Sequence, residues 1–451
     1  MTQLILASKA WQTVWSVGVA LLILLAMITV HEFGHYLAGK IFKFKIDEFA
    51  IGFGPKLFRK TRKNGEVFSV RALPLGGFCA FRGEDEDDDH PGAFHNKKPW
   101  QRIIVLISGA MMNFLLALVV IIINFGVFGQ TMLMAYDVTS DVTIDPAYCL
   151  ESGDVILEVN GKNIYLSTDL MDAVKGRQKG DKVLVTVLRE GADGKRAKQQ
   201  IQVVLRTDTN FKNMESTEAL YDALGIAKRV TVTKSAGAGL LEGDVIYKID
   251  GAEAYGVPTM TTLLEGKTAG ETAVLTVYRD GAMQDVLVTL QDYGERADNA
   301  KTKAMLGIES GTVSPEIYGY SVKLGFFQTI GRAFAYAFRI AGTIFTVLGQ
   351  LLTGKLGFSS LGGPVTTISM TSQMVVAGWS TLLEITAFIG VNLAVFNLLP
   401  IPALDGSRVV FTGIEWVRKK PISRKVEGII HFVGFVVLIA FSLLVDLLHL
   451  F

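Results

Sequence analysis

The chain has 451 residues, 50% of them hydrophobic and only 19% charged, a balance that points to a membrane protein carrying soluble parts, with room for two or three domains. A net charge of +1, with no Lys/Arg cluster interleaved with aromatics, excludes a nucleic-acid face. Two cysteines, Cys79 and Cys149, make no disulfide framework.

The first apolar run, about Val14 to Ala38, is preceded by one lysine, Lys9, and no small-residue cleavage pattern follows it, so it reads as a retained first span. At its end stands His31-Glu32-Phe33-Gly34-His35. Positions i and i+4 share a helix face, so His31 and His35 can offer two imidazoles to one ion. Glu32 can then reach a water on that ion without being a ligand itself, the H-E-x-x-H arrangement of a zinc hydrolase. Ionisable groups near membrane depth are costly and default to function.

Further spans are predicted over about Ile103 to Phe128, Ser380 to Leu399 and Ile429 to Leu448, each with about 20 mostly apolar residues. A fifth candidate, Ala333 to Leu352, is interrupted by Arg339. The loop from Lys40 to Arg102 holds 13 Lys/Arg, and Arg408, Arg418, Lys419, Lys420, Arg424 and Lys425 follow Asp405. Both basic loops belong in the cytoplasm by the positive-inside rule, and four spans put them there. Residues 318–352 are therefore expected as an amphipathic segment at or partly in the membrane. Cys79 then lies inside and Cys149 outside, so they do not pair.

Between the first two spans, Ile41 to Phe58 and Val67 to Phe81 are rich in aromatic and β-branched residues and flank Asn64-Gly65, which predicts a β-hairpin or small sheet. The acidic run Glu84 to Asp89 with His90 and His95 reads as a solvated loop; His431 and His449 are left outside the site. Residues 130–310 are soluble in composition and repeat. Gly153-Asp154-Val155-Ile156 returns as Gly243-Asp244-Val245-Ile246, and Asn160-Gly161 as Asp250-Gly251. Val185 to Gly191 returns as Leu275 to Gly281, always 90 residues on. Two copies of one β-rich domain follow. No inverted repeat appears among the spans, which argues against a transporter.

The repeat resembles the PDZ family through its G-D-V-I-x-x-[VI]-[ND]-G stretch. Asn397-Leu398-Leu399-Pro400-Ile401-Pro402-Ala403-Leu404-Asp405-Gly406 is similar to the N-x-x-P-x-P-x-L-D-G signature of the site-2 proteases. Together with HEFGH and the inserted repeats, the whole chain resembles that family of intramembrane zinc metalloproteases, in its branch that regulates sigma-E in Gram-negative bacteria. The resemblance implies Zn2+ held by His31, His35 and Asp405, with Glu32 as catalytic base. Gly109-Ala110-Met111-Met112-Asn113 is similar to the family's G-x-x-x-N beside the active site. Asn397 and Asn392 are candidates for substrate-backbone or oxyanion contact, with helix-to-helix hydrogen bonding the alternative; Asn113 is open in the same way. Gly54 and Gly77 are candidates for capturing an unwound substrate at a strand edge.

The implied fold is a polytopic α-helical membrane protein of four transmembrane helices with a membrane-associated β-hairpin region and two inserted PDZ domains. Its divisions are 1–40, first span; 41–102, cytoplasmic-side loop with the hairpin; 103–129, second span; 130–218 and 219–310, the PDZ domains. They continue with 311–375, amphipathic linker; 376–406, third span; 407–428, cytoplasmic loop; and 429–451, fourth span. The implied setting is the lipid bilayer of the bacterial inner membrane, with the PDZ pair periplasmic and the active site toward the cytoplasm. Implied partners are transmembrane substrate helices, namely a pre-trimmed anti-sigma factor and remnant signal peptides. The PDZ pair either binds peptide ends or screens substrates by bulk.

Overall fold

The computed structural model describes residues 2–84, 88–139, 143–209, 217–292, 298–357 and 361–448. Part of the acidic run, 85–87, and His449 fall outside them. The chain forms two compact units, 1–130 with 323–451, and 131–322.

The first unit is helical. It holds α1 (Thr2–Ile41), then β1 (Ile46–Thr61) and β2 (Val67–Phe81), then α2 (Pro99–Val127). Among the described residues, five of its helices are long and apolar enough to cross a membrane: Val14–Ile41 of α1, α2, and three in its second half described below. Close approach of α1 to α2 depends on Gly34, where a Cβ would lie 2.3 Å from the Ser108 carbonyl oxygen. The β1–β2 pair is antiparallel and folds back on itself: Glu48 is registered with both Ala80 and Val67, while Thr61 also meets Val67. Val67–Val70 thus lies between the two halves of β1, and Gly77–Phe81 runs along the outer side of Ile46–Ile51. The bend in β1 falls at Gly52 and Gly54, both left-handed at φ +84 and +82. Phe44, Phe49, Phe81 and Phe94 bury this sheet's inner face against Ala38 of α1 and Val105 and Leu106 of α2.

The second unit holds two sheets. The first copy supplies β3 (Gln130–Ala135), β4 (Asp154–Val159), β5 (Lys162–Asn163), α3 (Ser167–Val174), β6 (Lys182–Glu190), β7 (Arg196–Val204) and α4 (Thr217–Ala223). The second supplies β8 (Lys228–Ser235), β9 (Val245–Ile249), β10 (Ala252–Glu253), α5 (Gly256–Leu263), β11 (Thr272–Arg279), β12 (Ala282–Thr289) and α6 (Asp298–Met305). After them come β13 (Ile308–Pro315) and β14 (Ile317–Val322). The sheet orders are β14-β3-β4-β6-β7 and β13-β8-β9-β11-β12, one pattern twice. Both copies turn on a left-handed pair, Asn160-Gly161 and Asp250-Gly251, which is the type I′ hairpin that Asn-Gly and Asp-Gly favour.

The limits of the copies differ from the expected ones. Leu220, Leu224 and Ile226 are buried in the first core, so α4 belongs to the first copy despite lying across residue 218. The second sheet reaches Pro315, and β14 closes the edge of the first sheet, so residues 311–322 are strand rather than linker. Edge pairing with a strand nearly 200 residues away leaves no local pattern to read.

The first unit then resumes with α7 (Phe326–Leu352), α8 (Pro364–Ala377), α9 (Trp379–Leu398), α10 (Asp405–Arg418) and α11 (Arg424–Leu448). α7, α9 and most of α11 complete the five membrane-length helices. α7 is docked by polar contacts, Arg332 to Gln130 and Tyr336 to Glu384 of α9, and buries Ala333, Ala337, Ile340 and Ile344.

Candidate metal centre

Three elements bring the HEFGH and LDG motifs together. α1 carries His31 and His35 one turn apart, both buried at 8% and 7% exposure. α9 ends at Leu398, and a turn through Pro400 and Pro402 leads into α10, whose first residue is Asp405. Gly406 permits that turn, since a Cβ there would lie 2.3 Å from the carbonyl oxygens of both Leu398 and Leu399. α10 is pinned to α2 by the buried pair Arg102 and Glu415 at 2.6 Å, and Arg408 pairs with Glu84.

The ligand atoms converge. His31 Nε2 lies 3.0 Å from Asp405 Oδ2, His35 Nε2 lies 3.3 Å from the same oxygen, and the two imidazole nitrogens are 3.2 Å apart. Among the described residues this is the one group of three or more His, Cys, Asp or Glu side chains able to hold a metal ion. Tetrahedral donors about 2.0–2.1 Å from a zinc ion stand roughly 3.3–3.4 Å apart. The observed triangle is close to that size, and its donor set of two imidazoles and one carboxylate is that of catalytic zinc with one position open.

The surrounding residues orient the ligands. His35 Nδ1 donates to the Val105 carbonyl oxygen at 2.7 Å, which leaves Nε2 free as a ligand. The amides of Asn113 and Asn397 lie 3.5 and 3.3 Å from His31 Nδ1. An imidazole ligating through Nε2 carries its proton on Nδ1 and needs an acceptor there. Asn113 is 1% exposed and its Oδ1 has no other partner, so a half-turn of the amide presents that oxygen to His31. Gly109 stands one helical turn before Asn113, and a Cβ there would lie 2.4 Å from His35 Nε2. Only a glycine lets α2 pass that close.

Glu32 faces a cavity of about 680 Å³ shared with His35 and Asp405 and lined by Phe78–Phe81 of β2 and by His431, Phe432 and Phe435 of α11. The backbone of Cys79 lies beside the Glu32 carboxyl. Gly77 lies on this strand, where a Cβ would be 3.6 Å from Glu32 Cγ.

The other candidates fall elsewhere. Asn392 spends its amide on the Phe388 carbonyl of its own helix at 2.9 Å. Gly54 lies at the outer bend of β1, its carbonyl taken by Arg71 and its near neighbour Leu73. His431, set aside on sequence, lines the cavity and bonds the turn before Asp405. Its spacing from the motifs carries no local signal. Both cysteines are free thiols.

An intramembrane peptidase is the class that this fold and cluster define, and comparison with known proteins agrees. Residues 19–441 match Peptidase family M50, so the chain belongs to that family. It is 27% identical over 448 residues to the "Regulator of sigma-E protease RseP" of Escherichia coli (strain K12), covering 94% of this chain and 96% of that protein. It is 27% identical over 444 residues to the "Zinc metalloprotease RasP" of Oceanobacillus iheyensis, covering 93% and 95%. It is 28% identical over 437 residues to the "Zinc metalloprotease RasP" of Bacillus licheniformis, covering 94% and 96%.

Proposed function

We propose that this chain hydrolyses a peptide bond within or near the bilayer in single-span membrane proteins. His31, His35 and Asp405 hold the ion and Glu32 serves as catalytic base. The protein is a zinc metalloendopeptidase of the site-2 protease family, a bacterial membrane protein acting in regulated intramembrane proteolysis. The observation that carries the residue assignment is the convergence of the three ligand atoms beside Glu32 on a membrane-length helix.

When bound, zinc lowers the pKa of a water toward about 7 and polarises the scissile carbonyl. Glu32 takes the proton from the attacking water and delivers it to the leaving amine. Asn113 and Asn397 fix His31; Asn397, half-buried, can also turn its amide toward substrate. A peptide bond inside a helix is shielded by its own hydrogen bonds, so substrate must unwind. The Gly77–Phe81 strand, beside Glu32 and paired on one side with Ile46–Ile51, offers its outer side to an unwound segment by strand addition.

Four spans account for the polar contacts. Asn124, near the end of α2, bonds Ser380 at the start of α9. Asp446, about 22 Å along α11 from His431, bonds the first backbone N–H groups of α8. These contacts support reading the chain as on the same side at Asn124, Thr366 and Ser380, with no net crossing by α7. The histidines and Asp405 sit at the other, cytoplasmic side, where the positive-inside rule puts both basic loops. The repeats are entered from the far end of α2, about 27 Å along its axis from Gly109. We read them as a periplasmic PDZ pair in the inner membrane of a bacterium, screening substrates by the bulk of their outer domains or by binding their ends. A pre-trimmed anti-sigma factor and remnant signal peptides are the substrates that fit this arrangement.

The test is cleavage of a single-span substrate lacking its outer domain, in detergent, with zinc measured on the same samples. Wild type should hold about one zinc and cut within the span; Glu32→Gln should keep the zinc and not cut. Zinc missing from both proteins, or equal cleavage by both, would sink the assignment.

A further inference from the structure

We propose that His431 and Gly434, both on α11, are positioning residues for Asp405. Together they hold the turn that delivers its carboxylate to the metal. The inference rests on the reading of Asp405 as a ligand.

The turn is held in an unfavourable form. Ala403, two residues before Asp405, stands at φ +76. A left-handed residue other than glycine is strained and persists only where its surroundings impose it. Two contacts from α11 do so. The Ala403 N–H donates to His431 Nδ1 at 3.0 Å. One helical turn further along, Gly434 receives Pro402: a Cβ there would fall 2.3 Å from Pro402 Cβ and 2.9 Å from its carbonyl oxygen. Positions i and i+3 share a helix face. α11 thus offers a bare patch for the proline ring and, beside it, one acceptor for the next N–H.

The hydrogen bond also fixes the imidazole. Because Nδ1 accepts, the ring proton sits on Nε2, which faces Glu427 Oε1 at 3.9 Å one turn back. The Phe411 ring meets it edge-on at 5.7 Å. From Ala403 the effect passes to the ligand through a short, closed backbone: Leu404 N–H donates to the Ile401 carbonyl at 3.1 Å, and Ser407 N–H to that of Leu404 at 3.2 Å. If His431 is lost, the Ala403 N–H is left without its acceptor, and the turn gains by returning to negative φ. That rotates the first residue of α10 and carries the Asp405 oxygen away from the imidazoles. Ligand sets tolerate displacements of only about 0.5 Å.

Full-length protein in detergent would be titrated with a zinc chelator, reading zinc retained, with cleavage rate read separately. Asn places its side-chain oxygen where His has Nδ1, whereas Gln reaches only to the Nε2 position. His431→Asn should therefore retain zinc and most of kcat. His431→Gln, His431→Leu and Gly434→Ala should bind zinc about 10–100-fold more weakly, as loss of a partner that orients a ligand does. Val433→Ala, on the exposed side of α11, should match wild type. Equal behaviour of the Asn and Gln variants, whether both like wild type or both weak, overturns the inference; this comparison holds even if the Leu variant fails to fold. Asp405→Ala separates the two levels. If it keeps zinc at wild-type affinity, the ligand reading itself falls. If it loses zinc while His431→Leu and Gly434→Ala do not, only the positioning role falls.

Discussion

Two clusters of buried charge, one in each compact unit, are used in opposite ways. In the repeat unit, Asp154 and Asp244 have no exposed side-chain area, and each meets an arginine 35 residues on, Arg189 and Arg279, through two bonds of 2.7–2.8 Å. The same carboxylates accept backbone N–H bonds from Glu151 and Leu241. Each network closes within one copy and occurs twice. In the helical unit, the partners of His31 come from Asp405, 374 residues away, from Asn113 and from Asn397, and they occur once. A buried polar group satisfied by its own neighbourhood, in duplicate, holds a fold. One that gathers partners from separate helices around a shared point, with a cavity alongside, marks a site.

The largest effect that this contrast predicts is on folding. Asp244→Ala removes both carboxylate bonds of the half-buried Arg279, leaving it the Gly239 carbonyl, and strips the Leu241 N–H of its acceptor, so it should cost the second copy about 1–3 kcal/mol. Thermal unfolding and limited proteolysis would report it, while zinc content stays at the wild-type level. Asp154→Ala should act in the same direction on the first copy but more mildly, because Arg189 keeps Glu151. A loss of zinc in either variant would break the separation of roles.

Next comes Gly109→Ala, which reverses the pattern. Its methyl group would occupy space 2.4 Å from His35 Nε2, so the imidazoles must move. A misplacement of about 1 Å can cost 100-fold in rate. Cleavage and zinc retention should both fall, with little change in the unfolding of the repeats. Gly126, with open space at the same test position, supplies the control: Gly126→Ala should be silent.

A milder loss is expected from Asn113→Ala, which removes an acceptor for His31 while leaving all three proposed ligands. About tenfold weaker zinc binding is the expectation, read by chelator competition. Asn392→Ala, whose amide serves only its own helix, should leave the affinity unchanged.

This contrast also explains what the sequence could carry. The helices of membrane length, the HEFGH and LDG motifs and the 90-residue repeat are local or periodic signals, and each is written in adjacent residues. Long-range partners are not. Nothing near His431 says that it meets Ala403, and nothing near Tyr318 says that β14 will close a sheet begun at Gln130. The doubling back of β1 and β2 was legible only as a hairpin, because the pairing of Glu48 with two different segments depends on the bends at Gly52 and Gly54. Asn392 and Asn397 have the same chemistry but stand five residues apart, on different sides of α9, and only the packing of that helix shows which side reaches His31.

The smallest predicted effect concerns the sheet of β1 and β2, where a local network stands next to the site without joining it. Burial raises the Glu48 carboxyl, but bonds from Ser69, Arg71 and Lys56 outweigh it and hold the group at about 2. A carboxyl held below its unfolded value adds stability that is fully present above the ordinary glutamate range near pH 4.3. That stability is lost as the pH falls from there through about 2. Proteolytic protection of the 46–81 region should therefore weaken between roughly pH 4.3 and 2 in wild type. Glu48→Gln should start lower and lose this part of the dependence. Because none of these partners touches the proposed ligands, the zinc affinity of Glu48→Gln at neutral pH should match wild type. A shift in that affinity would mean that the sheet and the metal centre are coupled, and the line drawn between local and convergent networks would have to move outward to include it.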